Sequence, residues 1–206
     1  MSRRTALISM TAASVVAVAL SACSSSSTPA TGQSATPTSG ATATSSTSTT
    51  PTGRAGDVMF AQMMIPHHQQ AVQMADIALG KPSASPKVRE LATQIKAAQD
   101  PEIAQMSDWL RAWGASTATS GGMGHGMDHG MGSGGMMSDA DLNALNAAQG
   151  ADFDRKWLTG MIAHHQGAVM MANQVLSTTS DPQVKALAEA IVKGQTSEIT
   201  TMQGLL

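Results

Sequence analysis

The chain has 206 residues, 12 basic and 14 acidic side chains, and a net charge of −2; one residue is cysteine, six are histidine and 16 are methionine. No basic patch with interleaved aromatics offers itself to nucleic acid, and a single cysteine excludes an internal disulfide framework. The chemistry left to the chain is chiefly that of imidazole and thioether.

In chain order, Arg3 and Arg4 precede a short apolar run, Ala6 to Leu20, which ends in Leu20-Ser21-Ala22-Cys23. The run is too short to span a bilayer and reads as an export signal over residues 1–22. Its ending resembles the bacterial lipoprotein signal box. That resemblance implies lipidation of Cys23 and a chain anchored on the extracytoplasmic face of the cell membrane. Arg3-Arg4 suits either the general or the twin-arginine route. Residues 23–53 are almost entirely Ser, Thr, Ala, Pro and Gly. They bury too little apolar surface to offset their ordering entropy and read as a flexible tether.

Residues 54–206 contain the same unit twice. Asp57 aligns with Asp154 at an offset of 97 (154 − 57), which brings Met64-Ile65 onto Met161-Ile162 and His67-His68-Gln69 onto His164-His165-Gln166. After one dropped residue the match resumes at an offset of 96 (182 − 86), pairing Pro86, Gln99, Glu102, Met106 and Leu110 with Pro182, Gln195, Glu198, Met202 and Leu206. Apolar residues recur every three or four positions in each segment, the period of a packed helix. The expected fold is all-α: a four-helix bundle of two duplicated hairpins, 54–113 and 139–206, joined by a connection at 114–138. Pro66 is expected to kink the first helix without ending it, since Ala163 takes its place in the second copy. A further short helix is expected at Asp139 to Ala148.

Hairpin geometry sets the polar residues at matching depths. If the first helix ends near Leu79 and the second starts near Lys87, His68 and Gln99 both lie about 17 Å from the turn, with Met64 and Glu102 about 22 Å away. The second copy repeats this with His165 and Gln195, then Met161 and Glu198. Burial lowers an imidazole pKa and leaves a neutral ring with a lone pair, the form that binds metal. Buried Glu102 and Glu198 call for a cation or hydrogen-bond partners. A histidine–glutamate network that fixes helix register is the competing reading.

In the connection, Met123, His125, Met127, His129 and Met131 alternate every second residue among glycines. Thioether and imidazole suit Cu(I), then Ag(I) or Cu(II), and are poor ligands for Mg or Ca. This loop is expected to bind the metal as well.

The motif Met64-Ile65-Pro66-His67-His68 with Gln99, Glu102-Ile103 and Met106, and its second-half counterpart, resembles the domain of unknown function 305 family of exported, ferritin-like helical proteins. The resemblance implies copper binding and copper resistance. It carries the metal role to His67, His68, His164 and His165, with Met64, Met161, Met106 and Met202 as thioether donors. Di-iron chemistry is not expected: it wants about four carboxylates with Glu-x-x-His motifs, which the chain lacks. No nucleophile with a base and no phosphate loop stands out, so no enzymatic activity is expected. The expected function is copper sequestration or transfer, with a delivery partner or a second copy as protein partners. The alternatives are a metal-dependent oxidase of cuprous ion and a metal-free envelope interaction protein.

Overall fold

A computed structural model describes residues 53–117 and 134–206, and every regular element among them is a helix. Cys23, the expected signal and tether as far as residue 52, and the loop positions Met123, His125, Met127, His129 and Met131 lie outside the described residues.

The helices are α1 (Arg54–Leu79), α2 (Pro86–Ala112), α3 (Asp139–Ala147), α4 (Gly150–Leu176) and α5 (Pro182–Gln203). Their starts follow local chemistry. Ser85 and Asp181 cap α2 and α5 through side-chain oxygens that accept from backbone N–H groups, each with proline at the first helical position. Ser138 and Asp141 form a reciprocal capping box on α3. Pro66 lies inside α1 and Pro101 inside α2, and neither ends its helix. Each proline lacks the N–H that a regular helix would direct at the carbonyl four residues earlier.

Helices α1 and α2 form one hairpin and α4 and α5 the other; the hairpins meet mainly through α1 and α4. These two run antiparallel: His67 faces His164, while Met74 accepts a hydrogen bond from Trp157 Nε1 at 2.9 Å through its backbone oxygen. The described apolar residues accordingly fall into two cores. One joins the turn end of the first hairpin (Met74, Ala78, Val88, Ile95) to the open end of the second (Phe153, Trp157, Met161, Met202). The other joins Phe60, Met64, Met106 and Leu110 to Ala172, Val175, Val184 and Ile191, the reverse combination. The duplication thus becomes a pseudo-twofold arrangement, with the polar residues 67–68, 99, 164–165 and 195 between two apolar ends.

Candidate metal centre

Each hairpin sends two adjacent imidazoles into this middle layer. His67, His68, His164 and His165 are all buried, as are Gln99 and Gln195. Consecutive residues on a helix point about 100° apart, so each pair divides its tasks. His67 and His164 turn toward each other across the pseudo-twofold, with ring centroids 3.8 Å apart. His68 and His165 turn toward the second helix of their own hairpin. There His68 Nε2 lies 2.7 Å from Glu102 Oε2, and His165 Nε2 lies 2.8 Å from Glu198 Oε2.

The glutamates differ from expectation in two respects. The spacing sets Glu102 level with Met64, yet it bonds to His68, one turn nearer the loop. Helical side chains lean toward their own N-terminus, which in α2 is the turn, and a glutamate is long enough to cover that turn. The carboxylates are also not fully interior. Glu102 is 21% and Glu198 22% exposed, so they stand at the rim of the layer, where water shares their charge. Met64, Met106, Met161 and Met202 are completely buried, the first two in one apolar core and the last two in the other.

Hydrogen bonding leaves at least one ring nitrogen open on each of the four buried histidines. Carboxylate and carbonyl oxygens only accept, so Nε2 donates in His68 and His165 to glutamate, and in His67 to the Gly134 carbonyl at 2.8 Å. Nδ1 of all four histidines is buried with no partner, and His164 Nε2 is likewise unpartnered. Burial holds the His67 pKa down at about 4 and that of His164 at about 2, with the neighbouring imidazoles pushing the same way. Both rings are therefore neutral at pH 7 with buried lone pairs. Four amide atoms of Gln99 and Gln195 are also unpartnered. A metal-binding histidine has this form, one N–H tied to a fixed acceptor and the other nitrogen free. No three His, Cys, Asp or Glu side chains among the described residues stand where they could hold one ion between them.

The acceptor for His67 comes from the end of the long connection, which the repeat pattern does not foresee. Residues 134–137 lie against α4, and Gln70 clamps them from α1: its Nε2 donates to the Met137 carbonyl at 2.9 Å and its Oε1 accepts from the Met137 N–H at 2.7 Å. A Cβ at Gly167 would strike the Gly134 carbonyl, and one at Gly135 (φ 81°) would strike the Ala163 carbonyl. A Cβ at Gly160 would sit 3.0 Å from Met137 Sδ. The signal in the sequence is where the two copies disagree: Met63, Pro66 and Gln70 in α1 against Gly160, Ala163 and Gly167 in α4.

A family model for the domain of unknown function DUF305 matches residues 57–206. The fold is similar to that of a DUF305 protein from Streptomyces coelicolor, at 32% identity and a TM-score of 0.65 over 73% of this chain and 91% of that one. A DUF305 fragment from Deinococcus radiodurans matches at 34% identity and a TM-score of 0.65, over 75% and 97%. CopM in a Cu(II)-bound form matches at 37% identity and a TM-score of 0.60, over 72% and 94%. The Cu(I)-bound and a soaked Ag-bound form of CopM match at a TM-score of 0.58. The uncharacterized protein L153 of Acanthamoeba polyphaga mimivirus is 40% identical over 53 residues; the chain matches 35% of its length.

Proposed function

Because the chain belongs to the DUF305 family, we propose that it binds copper as cargo, sequestering or passing on the ion in copper tolerance, and that it is not an enzyme. The observation that carries this reading is the set of four buried, unpartnered Nδ1 atoms, three of them on rings whose Nε2 has a fixed acceptor. An orphaned polar atom in a core is costly, by roughly 1–3 kcal/mol each, and a ligand that uses it removes the cost. The Cu(II)-, Cu(I)- and Ag-bound forms of CopM support copper as the ion.

Cu(I) is the favoured state. With no triad of His, Cys, Asp or Glu on hand among the described residues, an ion in the layer takes imidazole nitrogens and thioether sulfur, a donor set that suits a soft monovalent ion. His67 and His164 are the first ligands on this reading, His68 and His165 are donors for a separate ion, and Met64, Met106, Met161 and Met202 are the sulfur donors of the two adjoining cores. Glu102 and Glu198 act behind the rings by holding their tautomer and orientation. The segment with Met123, His125, Met127, His129 and Met131 captures copper as well, and a lipid on Cys23 keeps the protein at the extracytoplasmic membrane face. A delivery protein or a second copy is the expected partner.

Titration of Cu(I) against a competing chelator tests the reading. Replacing His67, His68, His164 and His165 with alanine should weaken the tightest site at least tenfold, and an unchanged affinity would exclude the histidine layer. The two His–Glu pairs favour one rival, a metal-free protein whose layer only fixes helix register. That rival requires the same melting temperature with and without Cu(I), whereas a native-state ligand raises it.

A further inference from the structure

We propose that Met59, Met63 and Met171 form a second site for a soft monovalent cation, Cu(I) or Ag(I), on the outer surface of the bundle. The choice of ion rests on the function proposed above; the binding does not need the histidines.

The three methionines line one cleft of about 160 Å³ where the first half of α1 passes the second half of α4, floored by Phe60 and Val175. Met59 and Met63 are one helical turn apart and so share a face. Their side chains remain 36% and 42% exposed, and Met171 is half-buried. Packing does not account for such exposure. A methionine that fills a gap in a core is covered, as Met64, Met74 and Met161 are here.

The pseudo-twofold supplies an internal comparison. At the related place on the opposite side, Gly160 stands where α1 has Met63, and Met74 where α4 has Met171. There Met137 arrives from the connection and packs on Gly160, with Met74 alongside, and the cleft beside them carries charged side chains, Asp141, Asp152, Arg155 and Lys156. On the Met63 side the cleft keeps two exposed methionines, Met59 and Met63, at its edge. No ionisable side chain lines it. The three sulfurs are neutral at every pH and soft, with only the Gln174 amide and Thr178 hydroxyl as polar side chains beside them, a set that favours a soft monovalent ion over divalent cations that want several oxygens or nitrogens. Met63 also lies one turn before His67, so an ion held in the cleft stands beside the helix face that leads to the buried layer.

The test uses the full-length chain labelled with carbon-13 at the methionine ε-methyl groups, titrated with Ag(I) and followed by NMR. Single leucine replacements at positions 59, 63 and 171 assign the three signals. These methyl signals should move together and saturate with one ion, both in the parent and in a His67→Ala/His164→Ala variant. The M59L/M63L/M171L variant should take up one Ag(I) fewer at an unchanged melting temperature without metal. Three static methyl signals while imidazole signals respond would overturn this site alone. A triple variant with full Ag(I) uptake would do the same. Silence from every methionine and histidine would overturn the proposed function as well.

Discussion

A histidine that meets a metal without reorganising needs its proton on the far nitrogen beforehand. Glu102, Glu198 and the Gly134 carbonyl impose that on His68, His165 and His67. The arrangement has a cost visible in acid. His67 and His164 titrate near 6.5 when unfolded but at about 4 and about 2 in the fold, chiefly because burial disfavours the charged ring. Below pH 6.5 the unfolded chain therefore binds more protons than the native one, and stability falls as pH falls. The contribution is complete above about pH 6.5, and is lost progressively down to about 4 for His67 and about 2 for His164. Urea unfolding of the metal-free protein at pH 7 and pH 5 should give a lower midpoint at pH 5, before most carboxylates titrate. In the His67→Leu/His164→Leu variant the difference between the two pH values should shrink. A variant with the same slope as the parent would mean that these rings are not held neutral by the fold.

At the scale of elements, helix ends were legible because each is set locally. Leu79 ends α1 before a Gly-Lys-Pro run, Pro86 and Pro182 open α2 and α5, and Ser138 begins α3. Pro66 kept its helix, as Ala163 in the second copy implied. The height of Glu102 was misread because counting residues locates a Cα, whereas the carboxylate sits almost a turn away at the end of a leaning side chain. The role of residues 134–137 was not legible, since an irregular segment carries no period and its partner, Gln70, is remote in sequence. Gly167 makes a sharp test of that contact. Gly→Ala within a helix ordinarily stabilises by up to ~1 kcal/mol through propensity. Here the added methyl meets the Gly134 carbonyl, so Gly167→Ala should instead lower stability, by about 1–3 kcal/mol. It should also weaken Cu(I) binding, because His67 loses its acceptor. Chemical denaturation and chelator competition on the one variant measure both effects, and a stabilised variant would show that 134–137 is not seated on α4.

Across the whole molecule, duplication explains why the polar layer is where it is. An antiparallel pair of identical hairpins gives each apolar core one turn end and one open end, and only the midpoint is shared by both halves. Residues at that midpoint meet their own copies, so a single histidine in the unit becomes a facing pair, His67 with His164, without any further change. The same position is the worst one for stability, because it interrupts what would otherwise be one continuous apolar core. Replacing a buried polar pair by apolar groups of similar shape is neutral or favourable, here with only the His67–Gly134 bond to give up, whereas truncating one member leaves the other stranded. His67→Leu/His164→Leu should therefore match or exceed the parent in melting temperature without metal. Each single His→Ala replacement should fall below it. Added Cu(I) should reverse the order, since free ion at a thousand times Kd stabilises a one-site native state by ~4 kcal/mol and a protein lacking the site by nothing. Melting curves of parent and double variant, with and without the ion, contain the whole comparison. If the double leucine variant melts lower in both conditions, the imidazole layer is a structural network, and the bundle needs its histidines for folding rather than for copper.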